Sequence, residues 1–224
     1  MPVVNTNIAE TTNITQNGTY DVARYTTANV NVGGSKYDLL ARVKDDSDNE
    51  IGTVVGFHTD ANNVKYAVVA LDAQFRLASG QYLSSNVFIT DLPIYTNSLV
   101  YDANETATFN CDKILAKASA SELTSTAVSH CRSKTFTVDS VQHVGQLPTL
   151  MELLKILEFL TEVNAADTSA SQYPSLVLSP SVAYHSSSQN STSYCWKVLD
   201  SGRVNYNAKN SDGFVIPILE IPIN

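Results

Sequence analysis

Positive charge is scarce in this chain. Its 224 residues include 14 Lys and Arg against 22 Asp and Glu, which gives a formal net charge of -8 at pH 7 and a pI near 4.8. A protein that binds nucleic acid by neutralising phosphates needs an excess of basic side chains. The composition therefore argues against a nucleic-acid partner.

Cysteine is also scarce. The three cysteines, Cys111, Cys131 and Cys195, are an odd number and lie far apart in the sequence. Such a set does not make a disulfide framework, and its spacing matches no zinc-binding motif. We therefore expect no disulfides and no bound metal, and no other cofactor is indicated.

Long apolar runs are absent as well. None approaches the roughly 20 residues that a helix needs to cross a bilayer. The first residues lack the basic and apolar regions of a signal peptide. We therefore expect synthesis in the cytoplasm and no membrane insertion.

Most polar side chains of this chain are uncharged. The chain contains 24 Ser, 21 Thr and 19 Asn, more than its Lys, Arg, Asp and Glu together. These residues favour strands, turns and hydrogen-bonding loops over long helices. They concentrate in residues 1–34 and in residues 184–212.

Residues 1–34 contain few large aliphatic side chains. They carry a turn signal at Asn17-Gly18, a period-two alternation over residues 28–32, and Gly33-Gly34 at the end. So few apolar side chains cannot form a core of their own. We expect a β arm over residues 1–34 that docks or oligomerises, followed by a separate domain over residues 35–224. A disordered leader is the alternative for the arm.

The first part of the predicted domain has sequence patterns typical of β-strands. Residues 37–43 read as a strand, and residues 51–57 and 64–71 read as a hairpin around a turn at 60–63. Residues 45–49 are acidic, but they lack the central Gly and the final Glu of an EF-hand loop. They are therefore predicted as a solvated turn rather than a calcium site.

Two helices are predicted after the hairpin. Residues 120–133 place four apolar side chains on one narrow face, and Cys131 is among them. Cys131 is therefore predicted to be a core residue. The second helix covers residues 150–160. Thr149 precedes it, and the spacing of Thr149 and Glu152 predicts a capping box.

The C-terminal part combines polar and aromatic residues. Residues 186–193 are predicted as a loop, 194–199 as a strand that buries Trp196, 200–202 as a tight turn and 203–207 as a returning strand. Residues 214–219 are predicted as one last strand, in which Pro217 is acceptable at an edge or bulge.

Four blocks of residues occur in an order known from other proteins. Residues 51–72, 127–132 and 145–153 make the first three, and the third contains Leu-Pro-Thr-Leu-Met-Glu-Leu. The fourth contains Tyr194-Cys195-Trp196, Gly202, Asn205, Asn207, Lys209-Asn210-Ser211 and Val215-Ile216-Pro217. Together the blocks resemble bacterial and phage C-type-lectin-like domains. The resemblance implies an α+β domain with two helices and a mixed antiparallel sheet, preceded here by a short β arm.

The chain departs from that family at three positions. Cys195 replaces the usual Ala, Ile216 replaces the usual Arg, and Phe214 stands where a polar residue or Tyr is common. The calcium and sugar motifs of animal C-type lectins are absent. The resemblance therefore does not imply calcium-dependent sugar binding.

Residues 13–32 are similar to a short module of tail and fibre proteins from phages that infect gut bacteria. Joined to a C-type-lectin-like domain, this arm makes the chain resemble a phage adhesin at the virion surface. Some relatives are diversity-generating-retroelement variable proteins, whose last strands and loops vary. By analogy with fibre arms we expect a homo-oligomer, with a trimer favoured.

The resemblance implies a virion structural protein that binds a host-surface receptor or glycan, while its arm contacts other virion proteins. Tyr supplies large rigid contacts, and Ser and Asn supply adaptable hydrogen bonds. The predicted binding face consists of Tyr184, His185, Ser187, Gln189, Asn190, Asn205, Tyr206, Asn207 and Asn210. The alternative is that these are ordinary residues of surface loops.

Two other functions stay open. A capsid or tail decoration protein would use the domain only to stabilise its neighbours. Formylglycine-generating oxygenases share the broad fold, but they use a C-terminal pair of cysteines, and Cys195 has no second cysteine near it. The four histidines are isolated in the sequence, without the spacing of a catalytic or metal site. We therefore predict no catalytic residue and no enzyme activity.

Overall fold

The structure of the chain is a computed structural model. It describes residues 37, 41–60, 62–77, 106–117, 126–157, 183–191, 193–199 and 203–223. The predicted β arm over residues 1–34 and the predicted turn at 200–202 lie outside the described residues. Within the described ranges, no helix is long and apolar enough to cross a membrane.

Strands make up most of the described elements. They are β1 (Arg42–Lys44), β2 (Glu50–Thr59), β3 (Lys65–Leu71), β4 (Phe75–Leu77), β5 (Thr135–Val138), β6 (Val141–Val144), β7 (Ala183–Gln189), β8 (Tyr194–Leu199), β9 (Val204–Ala208), β10 (Gly213–Val215) and β11 (Ile218–Pro222). The helices are α1 (Ala107–Lys117) and α2 (Ala127–Arg132), and residues 150–157 form α3. The fold is mixed α+β, with few helices and open, mainly antiparallel sheets.

The first sheet has the strand order β1-β2-β3-β11, and all its pairs are antiparallel. The predicted hairpin is confirmed, since β2 pairs with β3 around the turn at 60–64. The acidic turn is confirmed as well, because the Asp45 carboxylate accepts the backbone N–H groups of Ser47 and Asn49. One face of the sheet packs on a core that contains Val69, and the other packs with α3 on a core that contains Val68.

The second sheet has the strand order β4-β10-β7-β8-β9. Its β10–β7 pair is parallel at Phe214 and Tyr184, and the others are antiparallel. The predicted strand with its returning partner is confirmed as β8 and β9, in which Trp196 lies opposite Tyr206. Trp196 is buried in the core, as predicted. Strands β5 and β6 form a separate hairpin.

Helix α3 begins with the predicted capping box. The Glu152 amide donates to Thr149 Oγ1 at 3.2 Å, and the Thr149 amide donates to Glu152 Oε2 at 2.8 Å. The buried face of the helix consists of Leu150, Leu153, Ile156 and Leu157. Local sequence therefore determines where α3 starts and which side it buries.

The other two helices differ from the predictions. Helix α2 starts at Ala127, and Thr126 is its N-cap in an extended conformation. The prediction of one continuous helix over residues 120–133 is therefore wrong at residue 126. The Thr126 hydroxyl accepts the Ser129 amide, which stabilises this later start. Cys131 is buried, as predicted. Helix α1 was not predicted, although the buried residues Ala107, Cys111 and Ile114 carry the i, i+4, i+7 spacing of an amphipathic helix.

Two C-terminal predictions are wrong. Residues 186–189 belong to β7 rather than to a loop. Residues 214–219 are not one strand, because the chain leaves β10 at Val215 and enters β11, in the other sheet, at Ile218. Pro217 lies at the crossing, and its carbonyl accepts the Leu71 amide at 2.9 Å. Proline has no amide hydrogen to continue a ladder.

Gly52 should be essential for the close approach of β2 to β3. A Cβ there would lie 2.3 Å from the Ala70 carbonyl oxygen. Because backbone must move to relieve this contact, we expect Gly52→Ala to lower the free energy of unfolding by about 3 kcal/mol. Urea denaturation measures the loss.

Gly56→Ala in the same strand is the matched control. Its Cβ would meet the Lys155 side chain at 2.8 Å, and a side chain can shift more easily than backbone. We expect a clearly smaller loss of stability. Equal losses for the two variants would contradict the assignment of strain to the Ala70 carbonyl.

Candidate functional site

An exposed part of the predicted binding face lies at the end of the second sheet. Strand β9 ends the strand order and pairs with β8. Asn205, Tyr206 and Asn207 are exposed on β9, and Tyr194 at the start of β8 is exposed beside them. We call these four residues the β9 edge.

The aromatic rings of the β9 edge support one another. Tyr206 is 50% exposed and Tyr194 is 41% exposed. The Tyr206 ring centroid lies 5.7 Å from that of Tyr194 and 5.6 Å from that of the buried Trp196, both in edge-to-face geometry. Trp196 therefore supports a large, accessible ring of the kind that recognition surfaces use.

The asparagines of the β9 edge bond to neighbouring backbone. Asn205 Oδ1 accepts the Tyr206 amide at 2.9 Å, and Asn207 Oδ1 accepts the Ala208 amide at 2.8 Å. Because side chains alternate along a strand, both asparagines lie on the face opposite to Tyr206. The edge thus presents an aromatic face and an amide face.

The nine predicted site residues do not form one exposed surface. Five are buried: Tyr184, His185, Ser187, Gln189 and Asn190. The first four lie on β7, which runs between β10 and β8, and Asn190 follows β7 directly. The structure therefore places them in the interior rather than in an exposed loop. Four are exposed: Asn205, Tyr206, Asn207 and Asn210. These four stay predicted contact residues.

The serines of β7 form buried hydrogen bonds with backbone groups. Ser187 Oγ donates to the Pro148 carbonyl at 3.2 Å, and Ser188 Oγ accepts the Leu150 amide at 2.9 Å. Buried backbone groups need such partners because desolvation without one is costly. The Ser-rich run therefore anchors the start of α3 to the second sheet.

The structure also brings Cys195 and His185 together. His185 Nδ1 lies 3.6 Å from Cys195 Sγ, and a thiol beside an imidazole is the arrangement of many cysteine nucleophiles. Both side chains are completely buried. Burial, with the charge of Lys197, lowers the pKa of His185 to about 3. The imidazole is therefore a poor base for the thiol, and the pair gives no support for an enzyme.

A second candidate site lies between the first sheet and the helices. It consists of His58 on β2, Glu152 on α3 and Glu220 on β11, which we call the His–Glu–Glu cluster. His58 Nδ1 lies 3.3 Å from Glu152 Oε1, and His58 Nε2 lies 3.4 Å from Glu220 Oε1. The side chains are 9%, 2% and 4% exposed. One ligand atom from each lies within 4.8 Å of the others.

Neighbouring groups hold each member of the cluster in place. The His58 ring stacks on Tyr66, with ring centroids 5.2 Å apart. Glu220 accepts the Ala107 amide at 3.0 Å and the Thr108 amide at 2.9 Å, so it binds the first turn of α1. The Thr108 hydroxyl also donates to Glu220. The cluster therefore links the first sheet to the N-terminal ends of α1 and α3.

The two carboxyl groups of the cluster differ in electrostatics. Burial and the charge of Glu152 raise the pKa of Glu220 to about 8. Burial also raises the pKa of Glu152, but its interactions with His58, Glu220 and the Thr149 amide together outweigh burial, and the net shift is downward. Glu152 is therefore the more acidic of the pair.

The spacing of its members in the sequence does not reveal this cluster. His58, Glu152 and Glu220 lie far apart along the chain, and Glu152 is already accounted for by the capping box of α3. The available signal was Glu220, a carboxylate between Leu219 and Ile221 in an otherwise apolar strand. A charged residue in such a strand needs a partner, but the sequence does not show which one.

Acid should destabilise the protein through His185. Its folded pKa of about 3 lies below the ordinary value of 6.5, so over this range the unfolded chain binds a proton that the folded chain does not. The stability is present above pH 6.5 and is lost as the pH falls towards 3. Between about pH 7 and about pH 4, His185 should cost the unchanged protein about 3 kcal/mol of its free energy of unfolding. The His185→Gln variant should not show this part of the decrease. Urea unfolding at both pH values measures it.

The exposed His130 provides the control for this prediction. We expect His130→Gln to keep the pH dependence of the unchanged protein. If His185→Gln kept it as well, the assignment of acid sensitivity to the buried imidazole would be wrong.

Comparisons with known proteins complete the description of the two sites. No model of a protein family matches the chain, and no curated protein matches it.

Proposed function

We propose that this chain is a phage virion structural protein that displays a C-type-lectin-like domain to bind a host-surface receptor or glycan. The observation that carries the proposal is the β9 edge, where Tyr206 and Tyr194 are exposed but supported by the buried Trp196. Rigid tyrosines beside amide side chains are the composition of adaptable binding surfaces.

The position of the edge supports a binding role. Asn205, Tyr206 and Asn207 on β9 are exposed. Their side chains can therefore contact a partner without disturbing the core. Asn210 is exposed in the turn that follows β9. A strand with its next turn thus presents both aromatic and amide groups to a partner.

The fold supports the family assignment. The four blocks that resemble C-type-lectin-like domains fall on the β2–β3 hairpin, on α2, on the entry to α3 and on β8 to β11. Mixed α+β structure with open antiparallel sheets is compatible with that domain type. In the proposal, residues 1–34 attach the domain to other virion proteins and make a homo-oligomer.

Binding of the purified full chain to intact cells tests the function. Fluorescently labelled protein is added to a panel of gut-bacterial isolates, and bound protein is measured by flow cytometry. We expect saturable binding to a subset of isolates. Tyr206→Ala should weaken it about tenfold or more, because a central tyrosine contributes much of an interface's energy.

Phe109→Ala is the matched control, because Phe109 is an aromatic residue of similar exposure on α1, at 45% against 50% for Tyr206. It should bind as the unchanged protein does, and thermal unfolding checks that both variants are folded. If the unchanged protein, Tyr206→Ala and Phe109→Ala bound equally well, the β9 edge would not be the binding surface. Absence of binding to any isolate would contradict the adhesin and favour the decoration protein.

A further inference from the structure

We propose that the His–Glu–Glu cluster is a binding site for one divalent transition-metal ion. The ligands are one imidazole nitrogen of His58 and one carboxylate oxygen each from Glu152 and Glu220. The site uses no residue of the β9 edge, so it stands independently of the proposed binding function.

Unpartnered buried atoms are the first argument for a ligand. Both ring nitrogens of His58 and Oε1 of Glu152 have no hydrogen-bond partner within the described part of the chain. His58 lies 3.3 and 3.4 Å from the two carboxylates, but neither contact has the geometry of a hydrogen bond. Buried polar atoms without hydrogen bonds are costly, and a metal ion would give these atoms a partner.

The remaining oxygens of the cluster are already engaged. Glu152 Oε2 accepts the Thr149 amide at 2.8 Å, and Glu220 Oε2 accepts the Thr108 amide at 2.9 Å. These bonds leave Oε1 of each carboxylate directed at His58. Glu220 Oε1 also accepts the Ala107 amide, but a carboxylate oxygen has a second lone pair for a metal. Outer hydrogen bonds that orient the ligands are typical of metal sites.

The distances within the cluster suit a single ion. The three ligand atoms lie within 4.8 Å of one another, whereas two ligands at 2.0–2.2 Å from one zinc ion can be at most about 4.4 Å apart. Binding of one ion therefore requires at most a small inward shift of these side chains. The two nitrogens of His58 now face different carboxylates. In the proposal, the His58 ring turns so that one of its nitrogens and both carboxylates bind the same ion.

The donor atoms define the class of metal. One imidazole nitrogen with two carboxylate oxygens suits Zn²⁺ and its first-row neighbours, whereas Ca²⁺ takes 6–8 oxygen ligands. Metal binding requires both carboxyl groups in their deprotonated form, and a doubly charged ion would balance these two charges, which are costly to bury without compensation. Lys155 carries a positive charge near Glu152, but its Nζ donates to the Phe57 carbonyl at 2.7 Å.

Titration of the untagged full chain with Zn²⁺ alone tests the site. Calorimetry should show one Zn²⁺ bound per chain, and Co²⁺ should give visible d–d absorption at the same stoichiometry. The melting temperature should rise with Zn²⁺. His58→Gln and Glu152→Gln should each bind Zn²⁺ at least about tenfold more weakly.

The choice of variants separates metal binding from folding. Glutamine at position 152 can still form the capping box with Thr149, so Glu152→Gln should fold. His143→Gln changes a half-buried histidine outside the cluster and should bind Zn²⁺ normally. If the unchanged chain bound no Zn²⁺, or if His58→Gln bound it equally well, the proposal would be overturned. Tighter binding of Ca²⁺ than of Zn²⁺ would overturn the assigned class of metal.

Discussion

The crossing of the chain at Ile216 and Pro217 is the constraint on which both large sheets depend. It connects β10, in the second sheet, directly to β11, in the first. Gln146 and Ile218 exchange two backbone hydrogen bonds at the crossing, of 2.8 and 3.0 Å. Because proline has no amide hydrogen, the chain leaves one ladder without burying an unused donor. The crossing thereby brings Glu220 into the first sheet while β9 remains at the edge of the second.

Features set by neighbouring residues could be predicted from the sequence. The β2–β3 hairpin follows from two alternating runs around a polar turn, and the start of α3 follows from Thr149 and Glu152. The β8–β9 pair and the burial of Trp196 have equally local causes. In each case the residues that determine the structure lie close together in the sequence. The residues that form the sequence pattern are therefore also the ones that contact each other.

Features set by distant residues could not be predicted. The serines of β7 indicated a loop, since Ser favours turns when its hydroxyl has no other partner. Here the partners are the backbone groups of Pro148 and Leu150, about 40 residues earlier. The His–Glu–Glu cluster is a similar case, because the pairing of β2, β3 and β11 brings His58 and Glu220 together. Asn205 and Tyr206 are exposed, as a binding face requires, and among the described strands β9 has a neighbour on one side only.

The asparagines of β9 have a consequence for chains that are held close together. An edge strand offers backbone groups to which the edge of a second copy can add, and this leads to aggregation. On β9 the amides of Tyr206 and Ala208 are already bonded to Asn205 and Asn207. Two copies that met at this edge would have to break these bonds before their strands could pair. These bonds therefore disfavour strand pairing between copies through β9, while the rings of Tyr194 and Tyr206 stay accessible.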